Sequence, residues 1–429
     1  MVLLILLTLV LSIGLGYITK INIGFFAIIG AYFIGCFGLG LKPGEVTELW
    51  PVKIFFIIFA VTLFYNFALA NGALERLAGH LLYRCRKYPY LLPLAVFAAS
   101  TIIAALGAGF YTVLAFMAPI TLLLCRKTNM SLIIGGMAVN YGALAGANFM
   151  TSQSGIIFRS LMENSGIDSS TGFTYATGIF AVTMIIPIII LGLYTFWNRK
   201  SSNISIDEAK PEAFNAHQKK SLFLIVLMMA VVLVFPILHL VFPAQTTISF
   251  LNSKIDIAFI AILFALISLI MKLADEKKVI SLVPWGTLIM ICGVGMLISL
   301  GVKVGIIHIL TEWLTQNVPV WMIPILLCLI SAVMSIFSST LGVVTPTLFP
   351  IVPAIATASG IDPLILFICI VAGAQSSAIS PFSSGGSLIM GAAPREIDKD
   401  QLFNQLLFKA IPIGVFAALV AIIVLTVTL

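Results

Sequence analysis

The chain has 429 residues, of which 61% are hydrophobic and only 9% charged, with a mean hydropathy of +1.16. Soluble domains carry about 25% charged residues, so a soluble globular domain is excluded. The net charge of +7 is no sign of a nucleic-acid partner, because the cations sit in loops beside apolar runs.

The first apolar run, Val2 to Thr19, has no basic residue before it and no small-x-small cleavage signal. It reads as a retained first helix rather than a signal peptide. Further runs follow at 21–41, 51–72, 90–106, 107–125, 131–163, 173–197, 221–241, 255–272, 283–302, 320–337, 341–357, 362–392 and 408–428. Runs near 20 residues are long enough to cross about 30 Å of hydrocarbon. The longest polar, charged stretch, 198–220, contains Pro211 and no apolar periodicity. It reads as a cytoplasmic linker between halves at 1–197 and 221–429. The fold class expected is an all-α polytopic membrane protein.

Basic residues set the expected orientation, since cytoplasmic loops carry the Lys and Arg excess. Arg84, Arg86 and Lys87 precede the run at 90–106, and Arg126 and Lys127 follow the run at 107–125. A segment with both ends on one side is either two spans or a re-entrant hairpin. Gly107, Gly109 and Thr112 at its turn favour a hairpin tip over an external loop, which would be more polar. The segment 320–357 carries no basic residue and is flanked by Gln316, Asn317, Ser359 and Asp362, so it opens to the other side. Threaded through, this assigns 18 of the 23 Lys and Arg residues to the cytoplasm, with Lys20, Arg199, Lys200, Lys210 and Arg395 among them. Both termini then lie outside, in what is expected to be a prokaryotic plasma (inner) membrane.

Two pairs of polar interruptions recur inside these runs. The first half has GAGFYT (Gly107 to Thr112) and NFMTSQSG (Asn148 to Gly155); the second has SSTLGVVT (Ser338 to Thr345) and SPFSSGGS (Ser380 to Ser387). Gly109 aligns with Gly342, Thr112 with Thr345, Phe149 with Phe382 and Ser154 with Ser387, always 233 positions apart. Raw identity between such segments is little better than chance; the weight lies in two breaks recurring in register. Helix-breaking backbone at bilayer depth is tolerated only where it is buried in protein or lines a cavity. Paired broken segments in corresponding halves point to a transporter's binding site. With the loop charges, the pattern predicts two inverted repeats. Each is a re-entrant hairpin (90–125, 320–357) followed by a discontinuous helix (131–163, 362–392).

Four helices would then start near mid-membrane, at Thr112, Ser154, Thr345 and Ser387. Thr345 followed by Pro346 fits an N-cap hydroxyl and a first-position proline. Each free helix N-terminus acts like roughly +0.5 charge and offers unpaired N–H donors, so four could hold a dianion without a lysine or arginine. Substrate-binding side chains are expected at Thr112, Thr151, Ser152, Gln153, Ser154, Ser339, Thr340, Thr345, Ser383, Ser384 and Ser387. Helices that end at the same breaks present free carbonyls suited to a small cation, with Gly107, Gly109, Phe110, Asn148, Ser338, Leu341 and Ser380 as the candidate positions. Helix packing by small polar residues accounts for any one serine, but not for four breaks in register.

Arg159, with Glu163 four positions on, reads as a snorkelling arginine paired to that glutamate, or as an entrance cation for an anion. Lys303 reads as interfacial. Asn66, Asn71 and Asn140 are suited to hydrogen bonds across helices, while Gln153 and Gln375 adjoin the breaks. The six cysteines form no C-x-x-C pair and the four histidines are dispersed. No metal site or cofactor is expected beyond sodium as a candidate coupling ion.

At these residues the chain resembles the ion transporter superfamily, and within it the MatC-like dicarboxylate carriers, relatives of the divalent anion:sodium symporters. SSTLGVVTPTLFPIVPAI (Ser338 to Ile355) looks much like the MatC-type hairpin, and ISPFSSGGSLIMGAA (Ile379 to Ala393) occupies the place of the second break. In the first repeat, Gly109 to Tyr111 stand where the family has Ser-Asn-Thr, and Thr151 to Ser154 where it has a Thr-Pro-Pro-Asn-like break. Neither tip carries the asparagine that helps hold sodium in the symporters. The resemblance implies elevator-like motion of the hairpins and broken helices, within a homodimer.

The function expected is secondary transport of small carboxylates, of C4-dicarboxylate or malonate type, imported with a cation. An exporter or exchanger of another anion, such as citrate, a sugar acid or arsenite, is the alternative. An intramembrane enzyme is disfavoured: no Gly-x-Gly-Asp, His-Glu-x-x-His or Asp-rich prenyl-diphosphate motif occurs, and no serine has an evident base partner. No P-loop supports a nucleotide-driven pump.

Overall fold

The structure is a computed structural model that describes residues 1–84, 89–128, 130–197, 211–242, 245–393 and 397–428. Arg86, Lys87, Arg199, Lys200, Lys210 and Arg395, together with positions 198–210 of the expected linker, lie outside the described residues. With no water at bilayer depth, a chain this apolar must satisfy its backbone within each segment, and all regular structure among the described residues is helical.

The principal helices of the first half are α1 (Val2–Thr19), α2 (Ile23–Gly38), α3 (Val52–Ala70), α4 (Ala73–Arg84), α5 (Leu92–Ala108), α6 (Phe110–Thr128), α7 (Leu132–Ala147), α8 (Gln153–Asn164) and α9 (Ser169–Trp197). Those of the second are α10 (Ala216–Val241), α11 (Ile257–Ile270), α12 (Trp285–Lys303), α13 (Ile306–Asn317), α14 (Val320–Phe337), α15 (Thr340–Ser359), α16 (Pro363–Ser377), α17 (Ser384–Ala392) and α18 (Lys399–Val427). Every apolar run read from the sequence carries one of them. Nine helices among the described residues are long and apolar enough to cross a membrane, and α2, α5, α7, α11 and α16 are shorter apolar helices. The protein is an integral, multi-pass membrane protein. The 16 residues of α7 and 15 of α16 rise about 1.5 Å each and so stop short of a full crossing. The polar breaks follow directly.

The 233-residue spacing seen at the breaks extends to the helices around them. Val52–Ala70 and Ala73–Arg84 recur at Trp285–Lys303 and Ile306–Asn317 with that spacing at both ends. Packing recurs as well. The first arm of each hairpin lies along the helix before the break, α5 on α7 and α14 on α16. Across the halves, α2 packs on α12 while α11 packs on α3, so equivalent elements exchange partners.

The inner helices are 61% buried for α3 and α12 and 67% for α15, against 17% for α1. Apolar side chains of α1 therefore face outward, where lipid is their solvent. Each hairpin sits in its own apolar cluster: α5 and α6 with α3 and α7, and α14 and α15 with α8 and α16. Asn66 donates to Val279 O at 3.2 Å, and Asn71 to Ser221 Oγ at 2.7 Å, both across helices as expected. Glu163 corrects an expectation. Its carboxylate accepts from Lys53 Nζ at 2.6 Å, while the Arg159 guanidinium lies 5.3 Å from the Phe173 ring centroid. A lysine 110 residues away reaches the same carboxylate, which the helical i, i+4 spacing could not reveal.

Candidate functional site

The first hairpin turns through two left-handed glycines, Gly107 at φ 96° and Gly109 at φ 73°. At Gly107 a Cβ would stand 2.0 Å from the Tyr65 ring, so this tip is seated on that ring. The Tyr65 hydroxyl then donates to Thr151 O at 3.2 Å, tying the seat to the first break. At the second tip, Ser338 is extended and the Ser339 hydroxyl accepts from Gly342 N–H at 3.2 Å. That cap starts α15 at Thr340. Thr345 lies inside the helix at φ −68° and ψ −42°, so the expected start is five residues late. The hydroxyl three positions before an N–H at Ser339 outcompetes the Thr345–Pro346 pair. A π-helical turn, Thr340–Val344, separates the two, a wide turn often found at functional sites. The other starts, Phe110, Gln153 and Ser384, fall one to three residues ahead of those read from the sequence.

The two tips meet. Tyr111 Oη and Ser339 Oγ are hydrogen-bonded at 3.1 Å although 228 residues apart. The helices before the breaks also meet, through a reciprocal amide pair. Asn148 Nδ2 donates to Gln375 Oε1 at 3.0 Å and Gln375 Nε2 donates to Asn148 Oδ1 at 2.9 Å, with Thr183 Oγ1 also 3.0 Å from Asn148 Nδ2. Nearby, Tyr141 donates to Ser376 O at 2.8 Å. Each break is then tied to its own surroundings by a serine. Ser152 donates to Ala104 O at 2.6 Å, and Ser377 donates to Ala332 O at 2.6 Å. Ser383 hydrogen-bonds Ala378 O and Ser380 O at 2.7 and 2.8 Å and accepts from Gly386 N–H, capping α17.

Two cavities reach this meeting point. The larger, about 640 Å³, is a vestibule whose walls include Tyr111, Ser338, Ser339, Ser383 and Ser387. Its volume falls in the range of small-molecule sites. Behind it lies a chamber of about 20 Å³ that also touches Phe110, Thr340, Leu341 and Gln375, room for about one water. Of the expected substrate side chains, Ser339, Thr340, Ser383 and Ser387 of the second tip and second break therefore border these cavities, whereas Thr345 is 0% exposed and lines neither. The first break does not join them: Thr151 and Ser152 are 0% exposed, Ser154 1% and Gln153 7%, and neither cavity reaches them. Thr112 is half-buried and lines neither cavity. The Ser384 side chain lies outside the described ones.

Buried polar atoms without a hydrogen-bond partner include Thr151 Oγ1, Gln153 Nε2, Thr345 Oγ1 and both amide atoms of Asn140, and, away from the breaks, the hydroxyls of Ser100, Thr101 and Thr121. Asn140 thus departs from the cross-helix bond expected of it. A buried polar atom left unpaired costs about 1–3 kcal/mol, and such groups in native proteins call for an explanation. Thr151, Gln153 and Thr345 belong to the expected substrate set. Among the candidate cation positions, Ser380 O is already engaged by Ser383 N–H at 2.9 Å and its hydroxyl, and Gly109 O by Val113 N–H. Phe110, Ser338 and Leu341 border the small chamber. Among the described residues no group of three His, Cys, Asp or Glu side chains comes together.

The sequence did not single out Tyr65 or Tyr141, whose hydroxyls brace the breaks. A phenol inside an otherwise apolar run was the available signal, since a buried tyrosine usually finds a polar partner.

Taken with the helices, these paired tips and breaks define a polytopic helical membrane fold. Two solved structures share it. The YdaH transporter of Alcanivorax borkumensis superposes with a TM-score of 0.58 at 14% identity, covering 90% of this chain and 87% of that one. MtrF of Neisseria gonorrhoeae, of a class of antimetabolite efflux pumps, gives 0.57 at 15% identity, covering 92% and 84%. Residues 1–147 match the family described as dicarboxylate carrier protein MatC N-terminus, so the likeness to MatC-type carriers holds over that third of the chain. No curated protein sequence matches the chain.

Proposed function

We propose that the protein is a secondary transporter of small carboxylates, of C4-dicarboxylate or malonate type, that imports its cargo with a cation by alternating access. One observation carries this reading: the Tyr111–Ser339 contact sets hydroxyl-bearing helix ends of both halves on one wall of a vestibule without a carboxylate in its lining. Helix N-termini and hydroxyls suit an anion. The exchange of partners between α2, α12, α11 and α3 supports two repeats of opposite orientation, as the loop charges require. The match over residues 1–147 supports the dicarboxylate class. Sodium as coupling ion, a homodimer and external termini in a prokaryotic inner membrane belong to the same proposal. The fold shared with MtrF, of an efflux class, favours export of another anion as the second reading.

Uptake of labelled succinate, malate and malonate into proteoliposomes, with and without a sodium gradient, tests the reading. Saturable uptake that Ser339→Ala lowers about tenfold, the worth of one hydrogen bond to a charged group, is expected. If none of the three anions moves, the carboxylate assignment falls.

A further inference from the structure

The vestibule has one feature that the site residues do not explain. Among the described residues its lining contains a single cation, Lys20, and no Asp or Glu. Lys20 ends α1 in the left-handed region at φ 61° and ψ 15°, a conformation that disfavours a residue with a Cβ. The helix C-terminus attracts a positive side chain, and the ammonium lies back over the last turn of α1. It stands 4.4 Å from the Tyr17 ring centroid, held there by the negative face of the ring. Tyr17 in turn packs edge-on against Phe337 and Phe382, each at 6.0 Å, and those two rings stack at 5.7 Å. Phe337 precedes the second tip and Phe382 lies in the second break. One aromatic cluster thus fixes the cation beside both polar elements that face open space. Lys20 has no ion pair among the described residues, so its charge acts on whatever enters.

We propose that Lys20 is an anion-capture residue of the vestibule, a charge that concentrates carboxylate-bearing solutes at the second tip and break and turns cations away. It is a specificity-determining residue at the vestibule, ahead of the binding contacts for solute that enters from that side. The inference rests on the transport reading only for the nature of the cargo. The charge selectivity itself is measurable without cargo.

A reporter cysteine, Ser387→Cys, on the exposed vestibule wall is reacted with small methanethiosulfonates of equal size, one anionic and one cationic. The rate of the parent protein, whose other cysteines remain, is subtracted. With Lys20 present, the ratio of anionic to cationic rate is raised. Lys20→Gln lowers it, by about threefold for each reagent in opposite directions, the factor for unit charges roughly 7 Å apart in water. Lys20→Arg keeps the ratio, Lys20→Glu reverses it, and raised salt erodes it. An unchanged ratio in both Lys20→Gln and Lys20→Glu overturns the proposal. Failure of the carboxylates to enter proteoliposomes would sink the transport reading and leave this ratio standing, so the two failures are distinguishable.

Discussion

Set the two breaks side by side and the repeat in the sequence conceals a difference in surroundings. At the first, Thr151, Ser152, Gln153 and Ser154 are closed in by protein, with Tyr65 and Ala104 bonded to them. At the second, Pro381, Phe382, Ser383 and Ser387 line the vestibule. Both are helix interruptions of the kind lipid cannot tolerate, yet one is shielded by packing and the other by facing a cavity. Like sequence patterns thus specify like backbones without specifying like exposure. On the alternating-access reading proposed above, this inequality is what a single conformer should show, because the route to one side is shut while the other is open.

The strongest way to break the comparison is at the tips. At Gly107 a Cβ would meet the Tyr65 ring at 2.0 Å with φ at 96°, whereas at Gly342 it would meet the end of the Met290 side chain at 2.2 Å. A ring seated under a left-handed turn has no room to yield; a methionine thioether does. Gly107→Ala should therefore cost at least about 4 kcal/mol, seen as loss of folded protein or a large fall in Tm in detergent. Gly342→Ala should cost about 1 kcal/mol. Gly305→Ala, at φ 82° with open space around it, isolates the backbone strain at about 1 kcal/mol. Equal losses at Gly107 and Gly342 would show that both tips are held with the same rigidity.

Next in size is the amide pair that joins the halves. Asn148→Leu or Gln375→Leu leaves the remaining buried amide without its two bonds, at about 1–3 kcal/mol. The double variant should fall well short of the sum, since both orphans vanish together. Thermal unfolding of the four proteins measures this directly. Additive losses would mean that the pair is not coupled, and that the two breaks are tied only through the tips.

How much of this was readable beforehand depends on the range of the signal. Helix positions were legible because apolar runs are local, and the breaks because Ser, Thr, Asn and Gly interrupt those runs at fixed spacing. The meeting of Tyr111 with Ser339 followed only as a consequence of two tips in register. Partners were not legible. Nothing local to Asn148 names Gln375, 227 positions away, and nothing near Glu163 names Lys53. The start of α15 was misplaced for a different reason: two hydroxyl caps compete within six residues, and only the backbone shows that Ser339 reaches the Gly342 N–H first. The vestibule was invisible because its walls come from α1, α2, α12, both tips and the second break, and no local pattern joins the first three to the rest.

A gain in stability rather than a loss should come from two unpaired hydroxyls, Thr151 at the first break and Thr345 in the second hairpin, and their effect on uptake divides the halves most sharply. Removing a buried hydroxyl that has no partner forfeits no bond and relieves its desolvation cost, so Thr151→Val and Thr345→Val should each raise stability, by about 1 kcal/mol. Thr121, buried with an equally unpaired hydroxyl in α6, serves as the reference for a group with no expected part in transport. If the orphans wait for a solute that arrives in another state of the cycle, both variants should lose about tenfold in uptake, the worth of one hydrogen bond, while Thr121→Val keeps its rate. If only the second half, whose tip and break border the vestibule, handles solute, Thr345→Val alone should lose uptake, and the first break is then a seal rather than half of a site. Uptake unchanged in all three would assign these hydroxyls to packing, and the inequality between the breaks would then concern architecture alone.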